Sequence, residues 1–249
     1  MLGFGRTDVG KVRGHNEDNI LVQNTPVGGL PDLYVVADGM GGHKAGEVAS
    51  ELAIKYCCAY LSDKNIKEGE ILDTLIEAVK FANTQVYAES RSAEQYHDMG
   101  TTFVGCTIVG ETAYIAHVGD SRLYKVNKND IEQITTDHSY VEMMVKAGEI
   151  TPQEAENHPD RNIITRAVGT NDTVDVDGYV LNLAKDDIIL ICSDGLSTMV
   201  SNEDLFNIIS KDDLTLEQRV NILVESANEN GGKDNISAIL IDLREGDNK

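Results

Sequence analysis

Three apolar runs of strand length lead into an aspartate in this chain, and a fourth aspartate opens such a run. Leu33-Tyr-Val-Val-Ala-Asp38 breaks into Gly39-Met40-Gly41-Gly42-His43; Ala113-Tyr-Ile-Ala-His-Val-Gly119 leads to Asp120; Asp187-Ile-Ile-Leu-Ile-Cys-Ser193 leads to Asp194-Gly195; Asp234 stands just before Ile236-Ser-Ala-Ile-Leu-Ile241. Apolar runs rich in β-branched residues and cut off by glycine read as buried strands. Each acid therefore belongs at the mouth of a strand, where neighbouring glycines let the backbone approach a ligand closely. A fold that gathers these strand ends gathers their carboxylates, and converging carboxylates suit a hard cation.

The rest of the chain says how they are gathered. Residues 1–25 read as a strand, a turn near Gly10, and a polar loop, Gly14-His15-Asn16-Glu17-Asp18-Asn19, that enters Ile20-Leu-Val-Gln. A helical period runs over Ala45–Leu61 and again over Gly69–Arg91. Short strands follow at Thr101–Val109, Thr112–Val118 and Arg122–Val126, and later at Val176–Leu183 and Asp187–Cys192. Successive strands with no helix between them require antiparallel pairing, which excludes a simple βαβ chain. Helices over Asn202–Ser210 and Leu216–Asn228, with Ser201/Asp204 and Thr215/Gln218 as capping boxes, precede a last strand at Ile236–Leu243. The predicted fold class is α+β: a central antiparallel β-sandwich, sheet on sheet, with the helices of 45–91 and 202–228 on opposite outer faces. One domain is expected over 1–243, with a polar tail at 244–249. A helical insertion at about 139–165 carries Thr151-Pro152-Gln153-Glu154, an N-cap with proline at N1 and an acid at N3. It reads equally as a mobile flap or a packed ornament.

Composition narrows the partners. With 42 acidic and 21 basic residues the formal charge is −21, so nucleic acid and anionic membrane surfaces, which need positive patches, are poor partners. Bound divalent ions could still reverse the local potential for an anionic substrate. There is no signal-peptide core and no apolar run of membrane-spanning length, so no membrane insertion is expected and a cytoplasmic location is. Cys57, Cys58, Cys106 and Cys192 form no C-x-x-C pair and read as small buried hydrophobes in a reducing compartment. Scattered single apolar residues establish no interface, and a monomer is expected.

Elimination then leaves an oxygen-ligand site. No cysteine has an arginine six positions on, no phosphate loop of the G-x-x-x-x-G-K-[ST] kind occurs, and the six histidines have no zinc spacing. Asp172–Gly178 lacks the first ligand and the closing acid of a calcium loop. Asp18, Asp38, Asp194 and Asp234 can supply carboxylates and the Gly39 carbonyl a neutral oxygen. Carboxylates held together repel and raise one another's pKa, so a shared site is sensible only with cations between them. Mn²⁺ or Mg²⁺ suits all-oxygen ligation, and two ions about 3.5–4 Å apart can activate a bridging water or hydroxide against a phosphoryl group. Arg13, four residues before Glu17, offers a planar fork for phosphate or, equally, for a surface salt bridge. His43 could protonate a departing alkoxide, or simply start a helix.

Arg13-x-x-Asn16-Glu17-Asp18, Asp38-Gly39-Met40-Gly41-Gly42-His43, Gly100-Thr101-Thr102, Gly119-Asp120-Ser121-Arg122, Asp137-His138-Ser139, Ser193-Asp194-Gly195 and Gly232-Lys233-Asp234-Asn235 occur in an order that resembles the metal-dependent serine/threonine phosphatases of the PPM/PP2C type, and the compact bacterial branch most of all. The resemblance implies a four-layer αββα sandwich with the metal centre at one end. It implies two core ions held by Asp18, Asp38, the Gly39 carbonyl, Asp194 and Asp234, with Glu17 in the supporting shell. Asp120, together with Asp194, would hold a third, weaker metal. Arg13 would bind substrate phosphate, His43 would be the general acid, and 139–165 would be the flap beside the active site. The implied activity is hydrolysis of phosphoserine and phosphothreonine in proteins, opposite a bacterial serine/threonine kinase. A phosphatase of small phosphate esters and a non-catalytic regulator that binds phosphoprotein or kinase are the alternatives; the complete acid set and Arg13 weigh against the regulator.

Overall fold

The computed structural model describes residues 2–41 and 45–244. The expected His43 site and most of the polar tail lie outside the described residues. In chain order the elements are β1 (Leu2–Asp8), β2 (Asp18–Gln23), β3 (Leu33–Met40), α1 (Ala45–Ser62), α2 (Ile71–Ser90), β4 (Gly100–Thr101), β5 (Phe103–Val109), β6 (Thr112–Val118), β7 (Arg122–Val126), β8 (Ile131–Gln133), α3 (Tyr140–Ala147), α4 (Pro152–Glu156), β9 (Asp177–Asn182), β10 (Ile188–Cys192), α5 (Asp194–Ser197), α6 (Asn202–Ile209), α7 (Leu216–Glu229) and β11 (Ile236–Asp242). One sheet runs β1-β11-β10-β7-β8 and the other β2-β3-β5-β6-β9, with β4 added to β3. All the pairings are antiparallel.

Side-chain alternation sorts these strands into layers. Leu33 and Val35 of β3 join the cluster under α1 and α2, whereas Tyr34 and Val36 point into the space between the sheets. On the opposite sheet Ile189 and Ile191 of β10 and Ile239 and Ile241 of β11 meet them there. Ile188, Leu190, Ala238 and Leu240 face the other way, against Leu205 of α6 and Val220, Leu223 and Val224 of α7. Three apolar clusters thus separate four layers, as the α+β reading predicts. Cys57, Cys106 and Cys192 are buried and unpaired. No helix among the described residues is long and apolar enough to cross a membrane.

The structure corrects four local expectations. Arg122–Val126 does not pair with the strand before it: β6 lies in one sheet and β7 in the other, beside β10. The turn Gly119-Asp120-Ser121 therefore crosses the sandwich. The run Thr101–Val109 is broken at Thr102, whose N–H donates to the Asp38 carbonyl (2.9 Å) while its hydroxyl accepts from the Asp38 N–H (2.9 Å). Thr215/Gln218 and Thr151/Glu154 are full capping boxes, but Ser201/Asp204 is one-sided. Asp204, one methylene shorter than Glu, accepts from the Ser201 hydroxyl (2.7 Å) instead of reaching back to the N-cap amide. Finally, β3 does not break off at Asp38 but runs on to Met40, with Gly39 and Met40 pairing with β4; beyond β10, Ser193 is the N-cap of α5 and Asp194 its first residue.

Candidate metal centre

Strand pairing does most of the gathering. Asp18 and Asp38 face each other across β2 and β3. Like charges placed opposite on a ladder repel, so this pair alone costs stability unless something positive joins it. Asp194 arrives from the end of β10 and Asp234 from the residues entering β11, which is β10's neighbour. Asp120 sits on the turn that crosses between the sheets. Arg13, Glu17, Asp38, Gly39, Asp120, Asp194 and Asp234 line one open cavity of about 220 Å³, with Asn162 and Ile164 of the 139–165 insertion on its rim. Asp18 does not line it; the Asp18 carboxylate lies buried behind, 4% exposed.

Close approach at this end depends on two glycines. A Cβ on Gly39 would lie 2.1 Å from the Gly46 carbonyl oxygen, and one on Gly195 would lie 1.9 Å from the Asn235 carbonyl oxygen. Each glycine follows a cavity aspartate and lets the backbone pack where a side chain cannot. Gly195→Ala must push α5 away from β11, taking Asp194 with it. It is expected to lower Tm by several degrees and to cut phosphate release by tenfold or more. A variant with wild-type Tm and turnover would show that Asp194 does not need this contact.

Two motif residues, Ser193 and Asn235, and Ser237 of β11 hold the acids and the loop that carries them. The Ser193 and Ser237 hydroxyls both donate to Asp18 Oδ2, at 2.8 and 2.6 Å. Ser193 also accepts from the Ser237 N–H (3.0 Å), so its hydroxyl is committed and does not cap α5. Asn235 ties the Arg13–Glu17 loop to β11. Its Oδ1 accepts from the Glu17 N–H (2.9 Å), and its Nδ2 donates to the carbonyls of Val9 (2.9 Å) and His15 (3.0 Å). Buried polar side chains must find partners, and here their partners are the site itself. For Ser193 and Asn235 the signal available in the sequence was position, one residue from a motif aspartate; Ser237, three residues from Asp234, had none.

Charge is poorly balanced in this cavity. Burial, then neighbouring acids, pushes Asp18 up to about 7, Asp120 to about 8 and Asp194 to about 6. Burial and the charges of Asp18 and Asp194 hold Asp38 well above the ordinary carboxylate range, and burial raises Glu17. Arg13 is the guanidinium in the cavity lining: Nη2 donates to Asp234 Oδ2 at 2.7 Å, which raises the Arg13 pKa further.

No group of three or more His, Cys, Asp or Glu side chains among the described residues is already drawn together as a metal cage. The donor set nevertheless fits hard cations. Asp18 Oδ1, Asp120 Oδ1 and Glu17 Oε1 are buried and accept no hydrogen bond. Unpartnered buried carboxylate oxygens are costly, and several raised carboxylates at one spot are relieved together by a divalent ion.

The sequence model for "Protein phosphatase 2C" matches residues 12–240. Serine/threonine phosphatase stp of Listeria welshimeri is 37% identical over 243 residues, covering 95% of this chain and 94% of that protein. The crystal structure of serine/threonine phosphatase Stp1 from Staphylococcus aureus superposes with a TM-score of 0.88 at 38% identity, covering 96% of this chain and 94% of that one. The catalytic domain of the serine/threonine protein phosphatase PstP, solved in complex with two manganese ions, gives a TM-score of 0.82 at 32% identity over 96% of both chains. Together with the four-layer sandwich and the acid-lined cavity at its end, these place the chain in the protein phosphatase 2C family.

Proposed function

We propose that this chain removes phosphate from phosphoserine and phosphothreonine in proteins at the 220 Å³ cavity, opposing a serine/threonine kinase. Membership of the family makes it a metal-dependent protein serine/threonine phosphatase. The observation that carries the site assignment is the convergence of Asp38, Asp120, Asp194 and Asp234 with Arg13 on one cavity, backed by the unpartnered oxygens of Asp18 and Glu17.

In this reading Asp18, Asp38, the Gly39 carbonyl, Asp194 and Asp234 would hold two Mn²⁺ or Mg²⁺ ions, Glu17 would support that shell, and Asp120 with Asp194 would hold a third. Bound there, the ions supply the positive charge that a phosphate monoester and an attacking water require. The chain's own residues do the rest. The Asp18 carboxylate, fixed by Ser193 and Ser237 at 2.8 and 2.6 Å, and the Asp38 backbone, fixed by Thr102 at 2.9 Å, need little reorganisation. Arg13, half-exposed at 51%, can turn from Asp234 to substrate phosphate. Its fork then orients the phosphoryl oxygens. A bond forms between the water oxygen and phosphorus as the ester P–O bond breaks; the departing serine or threonine oxygen takes up a proton, and the proton the water gives up restores the donor. His43 is the proposed donor.

Phosphate release from a phosphothreonine peptide tests this, with protein stripped by EDTA and then given Mn²⁺, Mg²⁺ or Ca²⁺. Activity is expected to return with Mn²⁺ or Mg²⁺, and Arg13→Ala to lower kcat/KM on the order of 10–100-fold. Restoration by none of the three ions would overturn the metal-dependent reading. A strong preference for a small phosphate ester over the phosphopeptide would overturn the protein-substrate claim.

A further inference from the structure

We propose that two stacked imidazoles, His117 and His138, are positioning residues that aim the Asp120 carboxylate into the cavity; this rests on the reading of Asp120 as a metal ligand. The turn that carries Asp120 is held at the residues on either side of it. Gly119 donates its N–H to His138 Nδ1 (2.9 Å), and its carbonyl accepts from the His138 N–H (2.8 Å). The Ser121 carbonyl accepts from His117 Nε2 (3.1 Å), and the Ser121 hydroxyl bonds to that of Thr102 (2.8 Å). Arg122 forks onto Asp137 at 2.7–3.1 Å. Asp120 Oδ1 is buried with no partner, and in this cluster only His117 Nδ1 shares that state. A turn clamped on both sides of one free carboxylate is what a preorganised ligand needs.

The hydrogen bonds also fix the protonation of the pair. His138 Nδ1 accepts from Gly119, so it carries no proton. Nε2–H is then the donor to Asp177 Oδ2 (3.2 Å), and Arg166 Nη1, 3.1 Å from the same Nε2, donates instead to the other Asp177 oxygen (2.6 Å). His117 must carry its proton on Nε2 to meet the Ser121 carbonyl. The rings stack with centroids 4.6 Å apart, and His117 is fully buried. Gly119 itself has φ +110°, and a Cβ there would meet Thr102 Cβ at 2.6 Å, so the position requires glycine, and a residue with so much conformational freedom depends on these donors and acceptors to keep the turn in place. His138 is also the root of the 139–165 insertion. Its carbonyl accepts from the Thr165 N–H (2.8 Å), and Ser139 next to it caps α3 at the Glu142 N–H (3.3 Å).

The test is a Mn²⁺ binding isotherm, read by calorimetry or by the electron paramagnetic resonance of free Mn²⁺, on wild type, Asp120→Ala, His138→Leu, His138→Asn and His138→Gln. Asp120→Ala defines the weak component that needs this carboxylate. His138→Leu is expected to weaken that component tenfold or more and leave tighter binding within threefold. Asn places an amide oxygen where Nδ1 stood and should keep the component; Gln places it where Nε2 stood and should lose it. A folded His138→Leu with a wild-type isotherm overturns the proposal while leaving Asp120 as a ligand. If His138→Leu does not fold, equal isotherms for Asn and Gln overturn it. If Asp120→Ala itself changes nothing, the ligand reading of Asp120 has failed and the proposal falls with it.

Discussion

Asp194→Asn is expected to lower phosphate release at saturating Mn²⁺ on the order of a thousandfold while raising the Tm of the metal-free protein. The two effects have one cause. Asp194 is the residue whose charge reaches most of the site: it is among the causes that raise Asp18, Asp38 and Asp120. Its own carboxyl is lifted to about 6 by burial and by Asp234. Asparagine keeps the shape and one oxygen but removes the charge. Without a cation the remaining acids are then relieved of their strongest common neighbour, and the fold gains. With cations present the same change removes an anionic ligand placed between two others, and the ions lose both affinity and geometry.

Thermal melts in EDTA and phosphate release in Mn²⁺ measure these separately. A gain on the order of 1 kcal/mol would appear as about 2–4 °C for a chain of this size. Near-normal turnover would sink the assignment of Asp194 to the core metals. A fall in Tm in EDTA would mean that Arg13 and Arg122, which oppose the rise in the Asp194 pKa, stabilise its charge more than the acids destabilise it.

How much of this was legible in the sequence follows from what periodicity can carry. The alternation of Leu33, Tyr34, Val35 and Val36 assigns two faces to one strand, and two buried faces require a second layer on each side. That makes the sandwich and its outer helices readable, and it puts Asp194 and Asp234 at strand ends, whereas β3 carries on through Asp38 to Met40. Periodicity says nothing about which sheet a strand joins. The run Arg122–Val126 looks like the next strand of a meander, yet it crosses to the other sheet, because the partner of β7 is β10, some 60 residues later in the chain. The consequence falls on function, since that crossing is what delivers Asp120. Hydroxyls and amides were illegible for a different reason. Ser193, Ser237, Thr102 and Asn235 have ordinary local uses as caps and turn residues, and only tertiary contact reveals that their bonds go to Asp18, Asp38 and the Glu17 loop. Asp18 shows the converse. It reads as one ligand among equals, but it sits buried behind the cavity lining, held by two serines.

Metal-free protein should lose stability as pH rises from about 4 to 8, and Mn²⁺ should reverse the sign of that dependence. The sign follows from the protons each state binds. Unfolded, each aspartate titrates near 3.8; folded, Asp194, Asp18 and Asp120 are pushed up to about 6, 7 and 8 by burial and by one another. Between those values the folded state holds protons that the unfolded state has released, so stability falls with increasing pH. The loss is complete once pH exceeds the highest folded value. Because the acids share one site their contributions do not add, and a net loss on the order of a few kcal/mol is expected. Asp8 and Asp177, held low by their hydrogen bonds, act in the other direction only near and below their unfolded value, which places the metal-free optimum on the acid side of neutrality. A divalent cation selects the ionised forms, so the protons that stabilise the empty site compete with the ion. Binding then strengthens with pH and stability rises with it. Melts at pH 5 and pH 8, each in EDTA and in Mn²⁺, give four numbers whose ordering decides the matter. A metal-free protein more stable at pH 8 than at pH 5 would mean that the acids are ionised and paired without any ion, and the requirement for cations at this site would lose its physical basis.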